Sequence, residues 1–190
     1  PLTNVGKDLK IIKTGPYLKA IPETINFLKY IDVDIVTLAN NHIYDYGEQG
    51  LKDTLDNCSN NNIITVGAGN NIDKASEILY HTVNNIKISF VNFAENEWAS
   101  ASKIRGGANP MNLINNLKSI SEAKNNSDLV FVIIHGGHEH YSYPSPKMLQ
   151  EYRFYAESGA DLVAAHHPHC VSGFELYKNI PIYYSLGNFI

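Results

Sequence analysis

Seven histidines of this 190-residue chain fall in three short segments, each placed directly after an apolar run. His42 closes Ala39-Asn40-Asn41-His42, and His135, His138 and His140 lie in His135-Gly136-Gly137-His138-Glu139-His140. His166, His167 and His169 lie in Ala164-Ala165-His166-His167-Pro168-His169. Imidazoles are costly to bury without partners, and the neutral ring is the commonest metal-binding side chain. A plainer alternative for 166–169 is a polar loop in which one ring caps backbone and the others are solvated. The grouping argues for a site, because α/β proteins build their sites at the carboxyl ends of sheet strands. With Asn41, Asp45 and Glu139 the segments offer nitrogen and oxygen ligands but no sulfur. That donor set favours zinc, manganese or iron over a structural cysteine-type zinc centre. The eighth histidine, His81, falls inside a strand pattern and reads as structural.

Composition sets the frame for these loops. A hydrophobic content of 44% and a charged content of 18% are ordinary for a globular protein with a full core. The net charge of −4 supplies no basic field for nucleic acid and no polybasic membrane patch. Cys58 and Cys170 make no disulfide framework and read as buried free thiols. No transmembrane run or signal peptide is visible, and the chain reads as opening and closing inside a fold, incomplete at both ends.

The elements that must carry the loops follow from periodicity. Ile25, Phe27, Leu28 and Ile31 behind Pro22 predict an amphipathic helix over 22–30. Residues 34–38 predict a buried strand that delivers Asn41 and His42. Asp45 with Glu48 three residues on resembles an N-cap opening a helix over 49–57, with Leu51 and Leu55 inward. A strand at 63–66, a tight turn at 67–70 and a short helix at 73–78 follow. Residues 79–83 and 86–93 alternate as a hairpin about Asn84-Asn85. Residues 94–110, with Glu95, Glu97, Trp98 and Arg105, have no clear period, and so long a loop is functional or mobile. A helix over 111–124 should point Leu113, Ile114, Leu117 and Ile120 inward. The run 129–134 is apolar on both faces and predicts a central strand that ends at His135. A helix at 147–159 and a strand at 160–164 lead to the last histidine group. A second hairpin about Lys178-Asn179 joins 171–177 to 180–185. The expected architecture is one mixed α/β layered domain over 1–190.

Four stretches resemble one known family. They are Asp34-Ile35-Val36-Thr37-Leu38-Ala39-Asn40-Asn41-His42-Ile43-Tyr44-Asp45-Tyr46-Gly47; His135-x-Gly137-x-Glu139; Gly159-Ala160-Asp161-Leu162-Val163 through His166-His167-Pro168-His169; and Tyr184-Ser185-Leu186-Gly187-Asn188-Phe189. Together they resemble the bacterial capsule-synthesis family CapA, or PGA_cap, a branch of the calcineurin-like metallophosphoesterases. The resemblance implies a layered β-sandwich flanked by helices around two divalent metal ions. It implies that Asn41, His135, His167 and His169 ligate metal, and that His42 is the acid or anion-stabilising group. A metal pair of that kind activates water for in-line attack. The family's first motifs, a Gly-Asp and a Glu expected just upstream of Pro1, are absent from this chain. The residues present therefore imply weak or single-metal occupancy on their own.

The remaining candidates keep two readings each. Asp45 either supports His42 or serves as the N-cap. Glu139 is a general base, a substrate contact or a solvated loop residue. His166 reads as a support for the neighbouring ligands, and His138 and His140 as solvent-facing. Arg105 is an anionic-substrate contact or a surface residue, Trp98 lines a pocket or covers core, and Asn188 faces the site or forms a turn. The resemblance implies a metal-dependent hydrolase, of a phosphoester or an amide, acting on an anionic polymer or small molecule in capsule or poly-γ-glutamate assembly. Rival readings are a peptide epimerase of the same fold and a non-catalytic polymer scaffold. The resemblance also implies capsule-synthesis membrane proteins as partners and an anchored, extracytoplasmic, bacterial setting.

Overall fold

A computed structural model describes residues 1–188; Phe189, which closes the fourth motif, and Ile190 lie outside the described residues. The chain forms two compact units, one of residues 1–77 and 96–110, the other of residues 78–95 and 111 onward.

In the first unit, a 3-10 turn at Pro22–Thr24 leads into α1 (Ile25–Tyr30), then β1 (Ile35–Thr37) and α2 (Gly47–Asn60). β2 (Ile64–Val66) pairs parallel with β1, Ile35 opposite Ile64, and Leu38 N–H extends the ladder to Val66 O at 2.8 Å. α2 buries Gly50, Leu51, Thr54 and Cys58, a stripe at helical spacing. Ile25, Cys58 and Ile63 form a small core. Cys58 is a buried free thiol, as expected, whereas Cys170 is free but only half-buried.

The sequence pattern misplaces two features here. The turn expected at 67–70 is instead β3 (Ala68–Gly69), which leads to the short α3 (Ile72–Ala75), capped by the Asn71 side chain. β3's antiparallel partner lies in the long 94–110 stretch. The N-cap of α2 is Tyr46 rather than Asp45, and it makes no side-chain cap bond. Asp45 is fully buried and its carboxylate is used elsewhere, as described below.

The second unit begins with β4 (Leu79–Val83) and β5 (Ile86–Ala94), the expected hairpin, with Asn84 and Asn85 at φ 51° and 66°. Two left-handed residues match the twist of a two-residue hairpin turn. The 94–110 stretch then supplies β6 (Gly107–Ala108), the partner of β3 in the first unit. Gly107 has φ +150°, and a Cβ there would stand 2.1 Å from Ala99 O. Gly107→Ala should therefore cost about 2 kcal/mol or more in urea unfolding; a loss under about 0.5 kcal/mol would contradict this packing.

α4 (Leu113–Asn126) and β7 (Leu129–His135) follow, then α5 (Pro146–Glu157), β8 (Leu162–His166), β9 (Phe174–Tyr177) and β10 (Ile180–Tyr183). The strands form a sheet in the order β4-β5-β7-β8-β10-β9, with β5, β7, β8 and β10 parallel and the two edge strands antiparallel. The run 129–134 is central, as its two-faced apolar pattern predicts. α4 packs on β5 and β7, and α5 on β8 and β10. α4 turns differently from expectation: Leu113 and Ile114 are exposed, and Asn116, Ile120 and Ala123 face inward. Asn116 earns its inward place by folding back, its Oδ1 accepting from Asn112 N–H at 2.7 Å. Tyr152 and Tyr155 on α5 are fully buried, stacking on Tyr184 at 5.6 Å and meeting Phe93 edge-on at 5.2 Å. Such pairs add about 0.5–1.5 kcal/mol each beyond burial.

Candidate functional site

Strand register builds the histidine group of the second unit. His135 is the last residue of β7, paired with Ala94 of β5 on one side and His166 of β8 on the other. Parallel pairing in register places three carboxyl ends side by side, so two imidazoles must meet. The His135 and His166 rings lie 4.8 Å apart, with Nδ1 to Nδ1 3.1 Å. Only one of those nitrogens can carry the shared proton, so one ring fixes the tautomer of the other. Burial and the neighbouring His167 push the His166 pKa down to about 4. His166 is thus neutral at physiological pH, and its Nε2 is buried without a hydrogen-bond partner.

The chain beyond β8 carries the next two rings in unusual backbone. His167 has φ 127°, a conformation that L side chains rarely adopt, and His169 has φ 60°. The His167 ring lies 4.6 Å from that of His135 and its side chain is 8% exposed. His169 Nδ1 meets Asn188 Oδ1 at 2.8 Å; the ring must donate there, which directs the lone pair of Nε2 outward. Across from them runs the Gly136-to-His140 loop. It is tied down by Gly136 N–H to His166 O at 2.9 Å and by His140 N–H to Pro168 O at 2.8 Å. Glu95, one residue past β5, accepts Gly137 N–H at 3.2 Å, and its Cγ fills the space that a Gly136 Cβ would need. His138 and His140 are exposed, and the His140 ring stacks on His169 at 5.6 Å.

Glu139, His167 and His169 each offer a ligand atom, and the three atoms lie within 4.8 Å of one another. Two ligands on one ion with bonds of about 2.1 Å stand at most ~4.2 Å apart. The set therefore fits a divalent ion after a shift of roughly half an ångström. Glu139, with its side chain 53% exposed and 3.9 Å from His167 Nε2, has room to supply that shift.

The other candidates lie in the first unit. Asn40 folds its own loop: its Oδ1 accepts His42 N–H at 3.0 Å and its Nδ2 donates to Leu38 O at 3.1 Å. This side-chain turn explains how 39–42 reverses without Gly or Pro. Asn41 Nδ2 donates to Glu97 Oε2 at 3.3 Å. His42 Nδ1 lies 2.8 Å from Asp45 Oδ2, which also accepts Leu18 N–H at 2.7 Å. The other oxygen, Oδ1, is ion-paired with Lys13, whose Nζ stands 3.2 Å from His42 Nδ1. Burial alone would raise the Asp45 pKa; His42, Lys13 and Leu18 N–H together hold it below the usual carboxylate range. Arg105 is committed to its own loop, donating to Trp98 O at 3.1 Å and to Ser100 O, with its guanidinium 5.2 Å from the Tyr44 ring centre. Trp98 is half exposed.

Lys13, Glu95 and Glu97 went unread in the sequence as members of these clusters. Each arrives by a contact distant in the chain, and no local spacing marks it.

Comparison with known proteins agrees with this architecture. The model of the family described as "Bacterial capsule synthesis protein PGA_cap" matches residues 1–190. The capsule biosynthesis protein CapA of Bacillus anthracis is 37% identical over 180 residues, covering 92% of this chain and 44% of its own length. The PGA biosynthesis protein CapA of Bacillus subtilis is 36% identical over 177 residues, covering 92% and 47%. The chain thus spans a little under half the length of these relatives. Among solved structures, the NAD nucleotidase of Haemophilus influenzae superposes with a TM-score of 0.56 at 14% identity, covering 86% of this chain and 32% of that one. That likeness is one of fold.

Proposed function

The chain belongs to the bacterial capsule synthesis protein PGA_cap family, and from that membership we propose that it acts on poly-γ-glutamate or a related anionic polymer as a metal-dependent hydrolase. The observation that carries this reading is the convergence of Glu139, His167 and His169 within 4.8 Å. A divalent ion held there, manganese, zinc or iron, would supply Lewis acidity and make water a nucleophile near neutral pH.

The chain's own groups divide the remaining work. His166 and Asn188 fix the rings of His135 and His169, so that their outward nitrogens keep lone pairs for an ion. In the first unit Asp45 orients His42, and by motif alone His42 would be the group that protonates a leaving group or hydrogen-bonds a developing oxyanion. Asn41 enters as a ligand by motif alone. The names of the relatives support a setting in capsule assembly; membrane proteins as partners, on the outer side of a bacterial membrane, are part of the same proposal. Among the described residues no helix is long and apolar enough to cross a membrane.

Titration calorimetry with manganese and zinc tests the reading, paired with turnover of γ-glutamyl amide and phosphoester substrates. One ion per chain is expected, with affinity lowered about 10–100-fold or more in His135→Ala. No bound ion, together with an unchanged His135→Ala, would leave a scaffold in place of an enzyme.

A further inference from the structure

We propose that the first twenty residues, together with Tyr46, carry a binding strip for a polycarboxylate chain, formed by Lys10 and Lys19 on the rings of Tyr17 and Tyr46. The inference rests on the capsule-polymer reading above and names the surface that would hold the polymer.

Charge is concentrated in this segment. Lys7, Lys10, Lys13 and Lys19 face one carboxylate, Asp8, within twenty residues of a chain whose net charge is −4. The structure arranges three of these lysines as a ladder on two aromatic rungs. Lys13 Nζ lies 5.2 Å from the centre of the Tyr17 ring and Lys10 Nζ 4.3 Å from the same ring. Lys10 also lies 5.9 Å from the Tyr46 ring, with Lys19 5.1 Å from it.

The two ends of the ladder differ. Lys13 is spent on Asp45, next to His42. Among the described residues Lys10 and Lys19 have no ion pair. Lys19 uses one donor on Val5 O at 2.6 Å, and an ammonium has three.

Cation–π contact positions an ammonium without neutralising it, so the charge stays available to an outside anion. It also limits the rotamer freedom lost when that anion binds. The chemistry fits carboxylates. Lysine presents a compact point charge that pairs with a carboxylate in many geometries, as the varied spacing of a flexible polymer requires. Tyr46 is 5% exposed and offers no face on which a base could stack. The ladder leads to Lys13 and so to His42, so a polymer lying on it would arrive at the candidate acid group.

The test is fluorescence anisotropy of labelled poly-γ-glutamate with this chain at ~50 mM and ~200 mM salt. Binding should weaken about tenfold in the Lys10→Gln/Lys19→Gln double variant, with the salt slope reduced by roughly two counterions. Lys10→Arg/Lys19→Arg, which keeps the charge, should bind as the parent does, and Lys118→Gln on α4 should change nothing. Lys19→Glu alone should also weaken binding; because Lys19 also touches Val5 O and the buried Tyr46 ring, circular dichroism of each variant must match the parent for the loss to count. Equal binding by the double variant and the parent would overturn the strip. So would an equal loss in Lys118→Gln, or competition by polyphosphate or single-stranded DNA as strong as by the polymer. Polymer binding without metal or turnover would leave the strip standing and remove the hydrolytic reading; metal binding with no polymer binding would do the reverse.

Discussion

Replacing Lys13 by methionine should cost about 3–5 kcal/mol of stability, the scale for stranding one partner of a buried ion pair. The Asp45 side chain is 0% exposed and that of Lys13 is 3% exposed, so water cannot replace the lost ammonium. His42 and Leu18 N–H would remain on Asp45 Oδ2, but Oδ1 would face no donor. Lys13→Met combined with Asp45→Leu should recover most of the loss, because removing both charges also removes their desolvation penalty. Urea unfolding of the two variants measures this; a loss under about 1 kcal/mol in the single variant would mean that solvent reaches Asp45.

The same group sets an acid limb in the parent protein. Its folded-state pKa is depressed by partners that outweigh burial. The stability it contributes is therefore complete above the unfolded-chain value of ~3.9 and is lost as pH falls through that value toward the folded one. In Lys13→Met the loss on acidification should be smaller.

His167→Gly and His167→Ala should both abolish metal binding, while their stabilities fall in an unusual order. At an ordinary position alanine is the more stable of the two by about 0.5–1 kcal/mol, because glycine has more freedom to lose on folding. His167 sits at φ 127°, where a Cβ is strained. Strain of that kind amounts to about 1–3 kcal/mol, so the glycine variant should be the more stable, by about 1 kcal/mol. Thermal unfolding of the two variants, beside calorimetry with zinc, separates backbone strain from lost ligation. The ordinary order, alanine above glycine, would show that the backbone at 167 is relaxed and not held against its preference.

The hairpins were legible because Asn84-Asn85 and Lys178-Asn179 punctuate alternating runs, and local geometry decides such turns. The central strand was legible because a strand buried on both faces must be apolar throughout. α4 was not, because Asn116 turns inward with only its Oδ1 paired, to Asn112 N–H, and its Nδ2 buried without a partner, while Leu113 and Ile114 stay outside. β3 and β6 were hidden because two-residue strands leave no period, and their pairing depends on close backbone approaches, of Gly106 to Gly69 and of Gly107 to Ala99, that only the folded chain reveals.

The histidine loops divide in the same way. Residue type and position after apolar runs were enough to nominate Asn41, His42, His135, Glu139, His166, His167 and His169. A loop at a strand end has few local reasons to hold so many imidazoles. Their geometry depended on the register of β7 against β8, which seats His135 beside His166, and on the strained turn at His167. Asp45 shows the limit most plainly. Its spacing to Glu48 suited a helix cap, and the sequence could take it no further. Lys13 and Leu18, distant in the chain, surround the carboxylate and give it to His42. The sequence by itself determined which side chains could do chemistry, since side-chain type is local. Tertiary structure alone decided which nitrogens and oxygens meet, since strand register and burial are set by contacts between residues far apart in the chain.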